Sequence, residues 1–77
     1  MTLTDSQIKM MQEDMLSELV TLMMERRHYS ANEALETVYN SETFLHLSDK
    51  DTGLYYQSPG YVYSFLDNEL REGRFVA

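Results

Sequence analysis

The chain has 77 residues and no cysteine, and its 13 acidic and 6 basic residues give a formal net charge of −7. This length allows one small domain over residues 1–77, and the lack of cysteine excludes disulfides and thiolate metal sites. The negative charge disfavours nucleic acids and anionic membranes as partners and favours basic ones.

So small a domain buries a modest fraction of its surface, so association with another chain is a common way for it to gain buried area. The first residues lack the basic segment and apolar run of a signal peptide, and no apolar run is long enough to span a membrane. We therefore expect a cytoplasmic protein that binds a protein partner or forms a homo-oligomer.

Residues 5–27 are predicted to form one long helix. Thr4 and Gln7 form a capping box ahead of it, and neither glycine nor proline interrupts it. Apolar residues at steps of three and four predict one broad buried face made of Ile8, Met11, Met15, Leu19 and Leu22.

Val20 and Met24 fall outside that face on a helical wheel. Either a second helix of the same chain packs on them and widens the buried stripe, or they contact a second chain. The sequence leaves both alternatives open, and the second makes these two residues predicted interaction residues.

Two short helical segments are predicted to follow. Ser30 and Glu33 form a second capping box, and Asn40 is a suitable end for the helix that they begin. Residues 41–48 form either a separate helix or the continuation of a kinked one.

The last part of the chain is predicted to be a turn, an extended segment and a helix. Gly53 suits a positive φ at the end of a polar turn, and residues 54–57 are β-prone. Ser58 and Pro59 open a helix that we expect to run to Glu72, followed by a tail in which Phe75 folds back or frays.

The predicted fold class is therefore all-α. It is a small bundle of one long N-terminal helix, two short helices and a C-terminal helix, with an extended tyrosine-rich loop.

The tyrosines divide into two groups. Tyr39 and Tyr61 lie on apolar helix faces and are predicted to be core rings. So small a domain cannot bury all the rings of Tyr55, Tyr56 and Tyr63. On the helical wheel, Tyr63 also points away from Tyr61. Exposed tyrosines are common at recognition surfaces, so these three are predicted interaction residues.

Glu69 falls inside the apolar arc of the last helix, between the directions of Phe65 and Leu66. A carboxylate in such a place either reaches solvent or pairs with a nearby arginine. Alternatively, it accepts a hydrogen bond from a tyrosine hydroxyl or pairs with a cation of a partner. It completes the set of predicted interaction residues.

No pattern for catalysis, for a cofactor or for a metal is found. His28 and His46 are far apart and lack a second ligand at helical spacing. Asp49 and Asp51 begin like a calcium loop, but the twelfth position is Gly60 where such a loop has glutamate. We expect a non-enzymatic protein without cofactor.

Residues 29–35, 55–58 and 61–70 resemble a short bacterial all-helical family of unknown function, over roughly residues 29–72. Its members show a capped short helix, an aromatic loop and a closing helix. Many carry a histidine in that loop, where this chain has residues 54–57. The resemblance implies a protein that is encoded beside toxin-like enzymes and has a partner-binding or antitoxin-like role. It carries over no catalytic residue.

Three functions fit these observations. The first is a protein-interaction module that self-associates or binds a protein partner. The second is an acidic, antitoxin-like inhibitor that covers a basic site on another protein. The third is a small-ligand sensor with an apolar pocket behind the tyrosines.

Overall fold

A computed structural model describes residues 2–73 and confirms the all-α fold over that range. Two short 3₁₀ turns, Lys50–Thr52 and Leu54–Tyr56, precede the last helix. Phe75 and its predicted folding back or fraying lie outside the described residues. The helices are α1 (Asp5–Arg27), α2 (Ala31–Tyr39), α3 (Glu42–Ser48) and α4 (Pro59–Glu72).

Both predicted capping boxes are present. The Thr4 hydroxyl accepts the Gln7 amide at 3.1 Å, and the Gln7 side chain accepts the Thr4 amide at 2.8 Å. Ser30 and Glu33 exchange the equivalent bonds at the start of α2. Each box satisfies two amides that have no partner inside the helix, and so fixes where the helix begins.

Residues 41–48 contain a separate helix, which settles the alternative that the sequence leaves open. The chain ends α2 at Asn40, whose φ of −91° is not left-handed. The Ser41 hydroxyl donates to the Val38 carbonyl at 2.6 Å and accepts the Phe44 amide at 3.0 Å. One buried serine therefore closes one helix and caps the next.

The turn between α1 and α2 is made by His28, which adopts a left-handed conformation with φ 58°. The chain then reverses, because Tyr39 at the end of α2 lies beside Leu16 of α1. The two helices are thus antiparallel neighbours.

The core takes side chains from all four helices and from the second 3₁₀ turn. In α1 the buried residues recur every four positions, as one face of a helix requires. The buried apolar residues are Met15, Leu19, Met23, Ala34, Val38, Leu47, Leu54, Val62, Tyr63 and Leu66.

The prediction that residues 54–57 are extended is wrong for residues 54–56, and only Gln57 has extended backbone, with φ −81° and ψ 170°. Leu54–Tyr56 is a 3₁₀ turn, and the Gln57 amide donates to the Leu54 carbonyl at 3.2 Å. Gly53, at φ 70°, turns the chain so that Leu54 enters the core. With no neighbouring strand, the segment satisfies its backbone groups locally.

The prediction that Tyr39 and Tyr61 are core rings is also wrong, because each is 51% exposed. The edge of each ring meets a phenylalanine, Phe44 for Tyr39 and Phe65 for Tyr61, at a centroid distance of 4.9 Å. The core positions of α2 are taken by Ala34 and Val38 instead.

Candidate interaction surface

Four of the six predicted interaction residues lie at the protein surface. On α1, Val20 is half-buried and Met24 is 40% exposed. In the second 3₁₀ turn, Tyr55 is half-buried against the core and Tyr56 is 62% exposed. The Tyr55 and Tyr56 rings meet edge to face, with centroids 5.3 Å apart.

Tyr63 is buried, at 4% exposed, so the prediction that its ring is exposed is wrong. The ring lies at the edge of the apolar arc of α4, where the end of α1 covers it. The Arg26 guanidinium carbon lies 5.1 Å from the ring centroid. A cation over an aromatic face stabilises both groups, and it contributes to the burial of this ring at the edge of the apolar arc.

Glu69 has an internal role that the sequence did not indicate. One carboxylate oxygen accepts the Glu42 amide at 2.8 Å. The other accepts the Thr43 amide at 2.9 Å and the Thr43 hydroxyl at 2.8 Å. These amides belong to the first turn of α3, where a negative charge is favourable. Glu69 therefore ties α4 to the start of α3.

The structure brings exposed and half-buried apolar side chains of α1 and α2 together. Leu16, Val20 and Met24 follow one row of α1, and Leu35 lies one turn before Tyr39 on α2. Because Tyr39 borders Leu16 and the helices are antiparallel, the two rows lie side by side. We call these five residues the α1–α2 apolar surface.

Sequence reasoning missed Tyr39 as a member of this surface because it placed the ring in the core, and it did not single out Leu35. Leu35 is 40% exposed. The available signal was the width of the apolar arc of α2, since residues at the edges of a wide arc are buried only where a neighbouring element covers them.

A hollow of about 160 Å³ lies at one end of the α1–α2 apolar surface. Its walls include Leu16, Tyr39 and Phe44, and its rim carries Lys9 and Glu13. The hollow can take one apolar side chain from a partner, with charges of both signs around it.

A second groove, of about 510 Å³, lies between α2 and α4. Glu33, Glu36 and Glu69 line it, together with Tyr29 and Leu70. The carboxylates of Glu33 and Glu69 already accept hydrogen bonds from backbone amides. Of these three glutamates, Glu36 alone has a carboxylate with no hydrogen bond or ion pair within residues 2–73.

Asp67 of α4 joins two arginines. Its Oδ1 lies 2.7 Å from Arg27 Nη2, and its Oδ2 lies 3.1 Å from Arg71 Nε. The hydrogen bond from Arg27 lowers the pKa of Asp67, and the same bond raises the pKa of Arg27. Arg27 Nε is buried without a hydrogen-bond partner.

Acidification is expected to lower the stability of the fold through Asp67. Because its pKa is lower in the folded chain, its contribution is fully present above the ordinary value of 3.8 and is lost as the pH falls through the folded value. In thermal unfolding followed by circular dichroism, Asp67→Asn should reduce the drop in Tm between about pH 5 and pH 2. Asp14→Asn, at an exposed acid, is the control, and equal pH dependence of the two variants would contradict this role.

No group of three or more histidines, aspartates and glutamates in residues 2–73 is arranged to hold a metal ion. None of the helices described is long and apolar enough to cross a membrane.

Comparison with known proteins gives no match among family models, curated proteins or solved structures. The resemblance to a bacterial helical family therefore stays a prediction.

Proposed function

We propose that this protein is a non-enzymatic interaction module that self-associates through the α1–α2 apolar surface. The observation that supports this is that Met24, Leu35 and Tyr39, on two neighbouring helices, are 40%, 40% and 51% exposed. Burial of a fully exposed apolar side chain stabilises by about 1.5–3 kcal/mol, so covering side chains that are 40–51% exposed would add roughly half of that for each.

A second copy of the chain suits this surface better than an unrelated partner. The rim of the adjoining hollow carries Lys9 and Glu13, which have opposite charges. In a two-fold dimer the same patch meets itself, so a rim with both signs can be self-complementary. The half-buried Val20 would be covered in the same contact.

The test is the oligomeric state, measured by sedimentation equilibrium over a range of protein and salt concentrations. We expect association that strengthens with salt, because each copy carries a net charge of −7 and salt screens the repulsion. Leu35→Glu should weaken association by about tenfold or more, since it places a carboxylate in the apolar contact.

Leu45→Glu is the matched control for this experiment. Leu45 is 67% exposed on α3 and lies outside the α1–α2 apolar surface, so the same change of charge there should leave association nearly unchanged. A chain that stays monomeric at all concentrations, or equal effects of the two variants, would rule the proposal out.

The acidic groove between α2 and α4 favours a second candidate, an antitoxin-like inhibitor of a basic protein. Glu36 would supply the available carboxylate at that groove. This binding should weaken with salt, the opposite of the self-association above. Binding of a basic protein that is weakened both by added salt and by Glu36→Gln would favour the inhibitor. Binding that neither added salt nor Glu36→Gln changes would exclude it.

A further inference from the structure

A cleft of about 420 Å³ lies between the end of α1 and the exposed side of α4. We propose that this cleft binds a carboxylate group, either on a polypeptide or on a small organic acid. Its lining residues are Arg26, Arg27, Gly60, Tyr63, Ser64 and Asp67.

Arg26 provides the binding charge. Its guanidinium is positioned over the Tyr63 ring, and within the described part of the chain no carboxylate lies within ion-pair distance of it. The ring occupies one face of the guanidinium and leaves the N–H groups in its plane able to donate to an anion.

Arg27 adds a second, incompletely satisfied guanidinium. Asp67 gives one oxygen to Arg27 and the other to Arg71, so it cannot bind Arg27 in the two-bond geometry that a carboxylate prefers. The Nε of Arg27 is buried and out of reach of a ligand, so the part of Arg27 available to one is the exposed quarter of its side chain. Because Arg26, Arg27 and Asp67 all line the cleft, an anion there would meet two guanidinium groups and one carboxylate.

The charge of the cleft selects the ligand. The charged residues that line the cleft, Arg26, Arg27 and Asp67, sum to one positive charge, which a single carboxylate balances. The net charge of −7 on the whole chain opposes any polyanion further. A flat monoanion also matches the planar fork of a guanidinium.

Gly60 lines the cleft in the first turn of α4, and a Cβ atom added there would meet nothing within 4 Å. A larger side chain there should occupy the cleft without removing either arginine. The cleft lies between α1 and α4, so its test is independent of self-association through α1 and α2.

The test is a titration followed by ¹H–¹⁵N NMR of the backbone amides and of the arginine Nε–H groups, at constant ionic strength. Sodium acetate should cause saturable shifts at Arg26, Gly60 and Ser64, whereas sodium chloride should not. Arg26→Gln should weaken acetate binding by about tenfold, as expected for loss of a charged hydrogen-bond donor. Gly60→Leu should weaken it as well.

Lys50→Gln, which removes one positive charge at an exposed residue outside the cleft and outside the α1–α2 apolar surface, is the control and should bind acetate like the parent chain. A blocked glutamyl peptide that binds more tightly than acetate would assign the site to a polypeptide, and equal affinities would assign it to a small acid. The proposal would be overturned by shifts that chloride reproduces, by equal weakening in Lys50→Gln, by unchanged binding in Gly60→Leu or by tighter binding of phosphate.

Discussion

Replacement of Glu69 by alanine is expected to lower the free energy of unfolding by about 2–3 kcal/mol. The change removes all three acceptor contacts at the start of α3, two from backbone amides and one from the Thr43 hydroxyl. Thr43 is fully buried, so water cannot easily replace the lost partner. The contacts also join residues 26 and 27 positions apart, so their loss loosens the packing of α4 on α3.

The measurement is urea unfolding followed by circular dichroism. Glu69→Gln keeps one acceptor oxygen and should lose about half as much stability as Glu69→Ala. Glu72→Ala, at an exposed acid of the same helix, is the control and should change the stability by no more than about 0.5 kcal/mol. Equal losses in Glu69→Ala and Glu72→Ala would show that the capping contacts contribute nothing.

The helices could be predicted from the sequence because their ends are set by local chemistry. Thr4, Ser30, Ser41 and Ser58 each cap a helix through a residue three positions away, a signal that needs no knowledge of the fold. Gly73, at φ 77°, likewise ends α4 where expected.

The surface residues could not be predicted in the same way, because the helical wheel shows an apolar arc without showing which edge a neighbour covers. Tyr63, at the edge of its arc, is covered by Arg26 of a helix almost forty positions earlier. Tyr39 and Tyr61 lie at edges that neighbouring residues cover only in part, since each is 51% exposed. Side-chain burial at such edges depends on how helices cross.

Glu69 illustrates the same limit for a polar residue. Its position in the apolar arc of α4 correctly marks it as facing the rest of the chain. Its partners, the amides of Glu42 and Thr43, depend on where α3 begins relative to α4. The pattern thus detected an unusual carboxylate but could not show that it caps another helix.

Replacement of Gly53 by alanine is expected to lower the free energy of unfolding by about 2 kcal/mol. The left-handed backbone at φ 70° costs a non-glycine residue roughly 1–2 kcal/mol. The added Cβ would also lie 2.7 Å from Tyr56 Cε2 and 2.8 Å from its hydroxyl oxygen, so the ring must move. Gly73→Ala is the matched control, because Gly73 has φ 77° but nothing within 4 Å of an added Cβ.

A double-mutant cycle separates the two costs in thermal or urea unfolding. In a Tyr56→Ala background the ring is absent, so Gly53→Ala should cost only the backbone part, about 1 kcal/mol. The same cost in both backgrounds would mean that the ring moves freely. A measured coupling would instead show that Tyr56 is held against Gly53 while 62% of its surface stays exposed. A ring fixed in advance loses little conformational entropy when it is covered, which would make Tyr56 the better contact residue of the tyrosine pair.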